Sequence, residues 1–170
     1  MEDNTAISFA NVAAKYDGTP DILTDVSFNI GGGSFYFLSG ASGAGKTTVL
    51  NLLGGMDKAT SGRITVGGTD IRKIRTAHLR RNIGMVLQEP FLFSRTVAEN
   101  IGIASPALDM EAIRAAARAA ALDETVASFA QGYDTMVGER GMTLSGGQKQ
   151  RAAIARMLAQ ETPIMVFDDS

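Results

Sequence analysis

Cysteine is absent from this 170-residue chain, which excludes a disulfide framework, a thiolate metal site and a catalytic thiol. Histidine occurs once, at His78, inside a basic and helix-like stretch from Arg72 to Arg81 that suits a surface residue. No uncharged apolar run approaches the roughly 18 residues that a membrane-crossing helix needs. The first residues, Met1, Glu2 and Asp3, are acidic rather than signal-like. Positive charge is not in excess either: 16 Lys and Arg against 18 Asp and Glu leave a net charge of −2, so composition supplies no basic field for nucleic acid. The expectation is a soluble chain that does not cross a membrane by itself, of a length that buries about 70% of its unfolded surface as one domain.

Against these absences stands a glycine-rich octet: Gly40, Ala41, Ser42, Gly43, Ala44, Gly45, Lys46, Thr47, followed by Thr48. It fits GxxxxGK(S/T) at every fixed position. Glycines let the backbone turn N–H groups toward phosphates, Lys46 would reach the β- and γ-phosphates, and the Thr47 hydroxyl would ligate Mg²⁺. A helix from Thr47 to Leu53 would add the partial positive charge of its N-terminus. The apolar run Phe35, Tyr36, Phe37, Leu38 just before it reads as a buried parallel strand. Strand, loop and helix then follow in the order that such a loop requires.

Periodicity divides the rest into three parts. Ile7 and Phe9, then Ile22, Val26, Phe28 and Ile30, alternate with polar residues as half-buried antiparallel strands do. The stretch from Phe35 to Gln88 holds the phosphate loop, a strand at Arg63 to Val66 before the Gly67–Gly68 turn, and a buried strand at Ile83 to Leu87. Beyond it Asp109 can cap a helix with Glu111 in its first turn, running through an Ala-rich segment to Ala121 with Ile113, Ala116, Ala117 and Ala120 on one face. From Lys149 to Gln160, Ile154, Met157 and Leu158 form an apolar stripe, with Arg151 and Arg156 placed away from it. Pro163 then opens a strand, Ile164 to Phe167, read as buried and ending in Asp168 and Asp169. Asp168 is a candidate Mg²⁺ ligand at the carboxyl end of the sheet, although aspartate also closes strands as a turn residue.

The pentapeptide Leu144, Ser145, Gly146, Gly147, Gln148 arises by chance with a probability on the order of 10⁻⁴ in a chain of this length. With the loop, Gln88 after a strand, the Asp168 strand and an aromatic residue, Tyr16, before the first core strand, it resembles the ATP-binding cassette family over essentially the whole chain. That resemblance implies an α/β fold: a P-loop NTPase core with a mainly parallel sheet, an antiparallel β subdomain and an α-helical signature subdomain. In these terms residues 1–34 form the antiparallel part, 35–88 and 155–170 the ATP-binding core, and 89–154 the helical subdomain.

The family's site residues carry over position by position. ATP and Mg²⁺ are the implied ligands, with Gly40 to Thr48 on the phosphates and Tyr16 stacked on adenine, although a core tyrosine at a strand end fits Tyr16 too. Thr47, Gln88 and Asp168 would hold the metal, while Lys46, Gln88 and Asp169 serve catalysis. Ser145, Gly146, Gly147 and Gln148 would meet the γ-phosphate of ATP held by a second nucleotide-binding domain, identical or merely homologous. Two domains then close head to tail on two ATPs and reopen after hydrolysis, driving transmembrane domains from the cytoplasmic face of the membrane. Gly138, Glu139, Arg140, Gly141 and the stretch from Gln88 to Phe93 with Thr96 to Ile101 are similar to exporters. Gly33 to Thr48 and Leu52 to Met56 also look like lipoprotein-release and cell-division cassettes.

Two departures mark the chain. The residue after the Mg²⁺ aspartate is Asp169, where most active cassettes have glutamate. A carboxylate drawn back by roughly 1 Å can lose about 10²-fold in rate. Asp169 therefore implies either a slow site beside a competent partner site or a base that acts after a small backbone adjustment. The family also continues to a histidine that contacts the γ-phosphate, whereas this chain stops at Ser170. The expectation is a domain cut after the Asp168 strand, hydrolysing ATP negligibly as residues 1–170 alone; a nucleotide-binding module without catalysis is the alternative.

Overall fold

The computed structural model describes residues 4–16, 18, 20–105, 107–138 and 143–168. They form two compact units that part between residues 80 and 81.

The first unit opens with β1 (Thr5–Ala14) and β2 (Leu23–Gly31), paired antiparallel as their alternating pattern requires. Ile7, Phe9 and Val12 are buried, and Phe9 stacks on Phe28 across the ladder at 4.5 Å between ring centroids. A bulge interrupts the pair where Asn11 and Asp25 both adopt positive φ and their side chains bond at 2.7 Å. The phosphate-loop helix α1 (Lys46–Leu53) buries Val49, Leu52 and Leu53. The chain returns as β3 (Ser61–Val66) and β4 (Thr69–Asp70), joined by the Gly67–Gly68 turn, giving a sheet of order β2-β1-β3-β4. The basic stretch expected as one helix becomes a 3₁₀ turn, Ile71–Lys73, capped by the Asp70 carboxylate, and a separate helix α2 (Thr76–Asn82) that carries His78 on its exposed side.

Phe35 to Leu38 is not the buried strand that its composition suggested. Residues 34–41 have no regular secondary structure, and Phe35 and Phe37 are 77% and 88% exposed, edge to face with each other. An apolar tetrapeptide becomes a strand only when a neighbouring strand takes its N–H and C=O groups. Among the described residues none pairs with it.

In the second unit β5 (Ile83–Val86) pairs in parallel with β8 (Ile164–Phe167), in the register Val86 opposite Phe167. Between them run β6 (Arg95–Thr96), α3 (Val97–Gly102), α4 (Met110–Ala119), α5 (Asp123–Ala127), β7 (Met136–Val137) and α6 (Gly146–Ala159), with β6 and β7 paired antiparallel. The caps are local. Asp109 accepts from Ala112 N at 2.8 Å, and Thr96 and Glu99 close a full capping box at the start of α3. On α4, Ile113, Ala116 and Ala117 are buried as the face reading requires, with Ala120 just beyond them; they join Ile101, Val126, Ala152 and Ala155 in one cluster. Alanines let α3 and α4 come close to α6, whose other side sets Ala153 and Met157 on Val86 of β5. Gly84 makes that last contact possible, because a Cβ there would stand 2.5 Å from Met157 Cγ.

One further expectation changes, and one residue takes a role its position did not announce. β8 is half-buried rather than buried: Val166 is enclosed while Met165 and Phe167 are exposed, since among the described residues the strand has β5 alone as neighbour. Arg156 lies off the apolar stripe, yet its guanidinium does not turn to water. It donates to Asn100 O at 2.8 Å, Phe91 O at 3.1 Å and Asn100 Oδ1 at 3.1 Å, and sits over the Phe93 ring. Asn100, 1% exposed, spends the rest of its amide on the backbone of Phe93, Arg95 and Thr96. A buried side chain with this many polar atoms is tolerated because each has a partner.

Candidate functional site

Gly45 shapes the phosphate loop. It is the N-cap of α1 at φ +85°, a left-handed conformation that glycine adopts without cost, and a Cβ there would stand 2.6 Å from Leu23 Cδ2. With no side chain at the cap and no acidic residue in the first turn, the leading N–H groups of an eight-residue helix face the loop. Beside them opens a concavity of about 360 Å³ lined by Ile22, Ser42, Gly43, Gly45, Lys46, Thr47 and Thr48. Lys46 bends over the loop, donating to Gly40 O at 3.0 Å and Ala41 O at 3.2 Å. An ammonium, hydroxyls and a helix N-terminus around one hollow fit a Mg²⁺-bearing phosphate chain. Ile22 is the lining residue that the strand pattern concealed, because it stands one residue before β2 begins.

Tyr16 belongs to the same unit. It is 44% exposed, and its hydroxyl donates to Asp57 Oδ2 at 2.6 Å. That bond is the main reason its phenol is held above the usual tyrosine range; Thr48 and Asn51, which face the same hydroxyl, act the other way. Since Thr48 also lines the concavity, the tyrosine stands at its rim.

In the second unit Gln88 and Asp168 follow two paired parallel strands. Parallel strands end on the same side, so Asp168, directly after β8, and Gln88, two residues past β5, share the carboxyl edge. Asp168 continues the ladder with its N–H on Val86 O at 2.8 Å and is 6% exposed, whereas Gln88 is exposed. Asp169 lies outside the described residues.

Ser145 caps α6 through a reciprocal box: its hydroxyl accepts from Gln148 N at 3.3 Å, and Gln148 Oε1 accepts from Ser145 N at 2.9 Å. Accepting that bond leaves the hydroxyl hydrogen for another acceptor. A Cβ at Gly146 would meet nothing within 4 Å, and one at Gly147 only the end of Arg151 at 3.9 Å. Among the described residues, packing gives no reason for glycine at either position. Of the two exporter-like stretches, 139–141 lie outside the described residues. Gly138, at φ +92°, packs so closely on Phe93 that a Cβ would be 2.9 Å from its carbonyl oxygen, and β7, which ends just before it, pairs with β6.

The sequence model of the family described as "ABC transporter" matches residues 23–170. The chain belongs to the ABC transporter family. Its fold is accordingly the ABC ATPase form of the P-loop NTPase, with antiparallel and parallel sheets. It is 45% identical over 165 residues to the putative multidrug export ATP-binding/permease protein YgaD of Bacillus subtilis, which covers 96% of this chain and 28% of the relative. It is 41% identical to the ATM1-type heavy metal exporter of Novosphingobium aromaticivorans, over 97% of this chain and 27% of that protein. A solved bacterial Atm1-family ABC exporter with ATP bound superposes with a TM-score of 0.91 at 40% identity, covering 98% of this chain and 29% of that one. The chain thus spans less than a third of each of these proteins. Among the described residues no helix is long and apolar enough to cross a membrane.

Proposed function

We propose that this chain binds and hydrolyses ATP to ADP and phosphate as the nucleotide-binding domain of an exporter, working in a head-to-tail pair with a second such domain and driving transmembrane domains. The observation that carries the reading is the loop itself: a left-handed glycine cap aims the start of α1 at a hollow that also holds the Lys46 ammonium and the Ser42, Thr47 and Thr48 side chains. In this reading Gly40 to Thr48 hold the triphosphate, Tyr16 faces adenine, and Thr47, Gln88 and Asp168 serve Mg²⁺. The metal supplies charge neutralisation on the phosphate oxygens. Lys46 neutralises the β- and γ-phosphates, Gln88 orients the attacking water and Asp169 accepts its proton.

Ser145, Gly146, Gly147 and Gln148 supply the other half of a site. Two exposed glycines that no packing among the described residues requires, behind an exposed serine hydroxyl at a helix N-terminus, suit a phosphate presented from outside the chain. Export, and a place on the cytoplasmic face of the membrane beside transmembrane domains, are supported by relatives whose names join ATP-binding to permease.

Asp169 gives the reading its finer form: a shortened base makes this chain's own site slow, while its Ser145 loop completes the partner's. The test is the ATPase rate of the protein as the cell makes it. Lys46→Ala should abolish turnover at this site, and Asp169→Glu should raise it by up to about 10²-fold. Undiminished turnover in Lys46→Ala would sink the site; an unchanged rate in Asp169→Glu would sink only the slow-site form.

A further inference from the structure

The helix that opens at the phosphates ends in a way that the nucleotide site does not obviously need. Residues Gly54, Gly55, Met56 and Asp57 close α1 with a Schellman turn. Gly55, at φ +64°, donates to Leu52 O at 3.2 Å, and Met56 N reaches Asn51 O at 2.9 Å. The reversal carries Asp57 back along the helix, where its own N–H also meets Asn51 O at 3.3 Å and its Oδ2 accepts from Asn51 Nδ2 at 3.3 Å. The same carboxylate oxygen takes the hydrogen of the Tyr16 hydroxyl at 2.6 Å, across 41 residues of sequence. Thr48 and Asn51 are three apart on α1 and therefore share the face along which the tyrosine lies.

We propose that Asp57 is a positioning residue for the nucleotide base, fixing Tyr16 by its phenolic hydrogen bond at the rim of the phosphate hollow. The inference rests on the reading above that Tyr16 faces adenine. A side chain 44% exposed is held only in part by packing, so the short hydrogen bond at its tip contributes to its orientation. A short bond to a carboxylate, itself held by the Asn51 amide, orders the ring before nucleotide arrives. A flexible ring would lose its rotamer freedom only on binding, at the expense of affinity. The lock also ties the base end of the site to the C-terminal end of the helix whose other end meets the phosphates.

The test is equilibrium binding of MgATP and of magnesium tripolyphosphate, which lacks a base, to the protein as the cell makes it. Asp57→Ala and Tyr16→Phe should each weaken MgATP about three- to tenfold and leave tripolyphosphate unchanged. The double variant should lose less than the sum of the two single losses, because both substitutions remove the Tyr16–Asp57 bond. Asp57→Asn should retain affinity, since the amide oxygen accepts the same hydrogen. Equal loss of both ligands in Asp57→Ala would mean that the residue acts through the helix, and would overturn the proposal, as would unchanged MgATP binding. Should Asp57→Ala fail to fold, Tyr16→Phe decides alone. Tyr16→Ala separates the two ideas: no loss of MgATP affinity overturns the base reading itself, whereas loss there without loss in Asp57→Ala overturns only the role of Asp57.

Discussion

Replacing Gly45 with alanine asks for a methyl group where backbone and packing both refuse one. At φ +85° the residue sits in the left-handed region, which costs an L side chain about 1–2 kcal/mol. The new Cβ would also stand 2.6 Å from Leu23 Cδ2 and 3.3 Å from the Ile22 carbonyl oxygen. Leu23 is 4% exposed and cannot swing into water, so overpacking adds about 1–3 kcal/mol. Gly43 is the internal comparison: its φ of +80° is similar, but no described residue lies within 4 Å of a Cβ there. Gly45→Ala should therefore cost about 2–5 kcal/mol and Gly43→Ala about 1–2 kcal/mol. The difference corresponds to roughly 5- to 150-fold in the opening equilibrium of the loop and first helical turn. Native-state hydrogen exchange at the amides of residues 46–50 reads that equilibrium, and MgATP binding should weaken in the same order. Equal effects of the two substitutions on exchange would refute the packing argument and leave backbone strain alone.

Other consequences concern the second unit. Arg156→Ala should destabilise it by about 3 kcal/mol, because it removes the donor from Asn100 O, Asn100 Oδ1 and Phe91 O around a side chain only 1% exposed. Faster exchange across residues 97–102 is the readout, and an unchanged rate would count against Arg156 as the tie between α6 and α3. Gly84→Ala should cost about 1–3 kcal/mol through the clash with Met157 Cγ at 2.5 Å and Thr162 Oγ1 at 2.6 Å. Adding Met157→Ala should then cost less than it does in the parent, as the shortened side chain relieves the clash and the new methyl fills part of the space it leaves; strict additivity in denaturant titrations would show that the helix does not bear on Gly84.

Much of the candidate site was legible because its signals are short-range. Gly45 and Lys46 set the loop and helix within a few residues, and Ser145 with Gln148, Thr96 with Glu99, and Asp109 each complete a cap three residues away. Alternation likewise foretold β1 and β2, since period two marks the enclosed face whatever the partner. The roles of Ile22, Asp57, Asn100 and Arg156 were not legible because they come from contacts made across the fold. Nothing beside Tyr16 in the chain announces an aspartate 41 residues on, although Gly54–Gly55 after an apolar helix does signal a reversal.

Sequence by itself determined the local structures whose signals lie within a turn of chain: a phosphate loop opening a helix, a capped helix after Ser145, and a carboxylate closing a strand. Tertiary structure alone decided what each surface faces. Phe35 to Leu38 and β8 carry similar apolar side chains, yet the first pairs with no strand among the described residues and the second with β5 alone. Arg156 turns inward because the buried amide of Asn100 and the carbonyl of Phe91 satisfy a charge that would otherwise seek water. The reason is the range of the forces involved. Caps, glycine conformations and periodicity act over a turn of chain, whereas burial and strand pairing depend on neighbours that only the folded chain supplies.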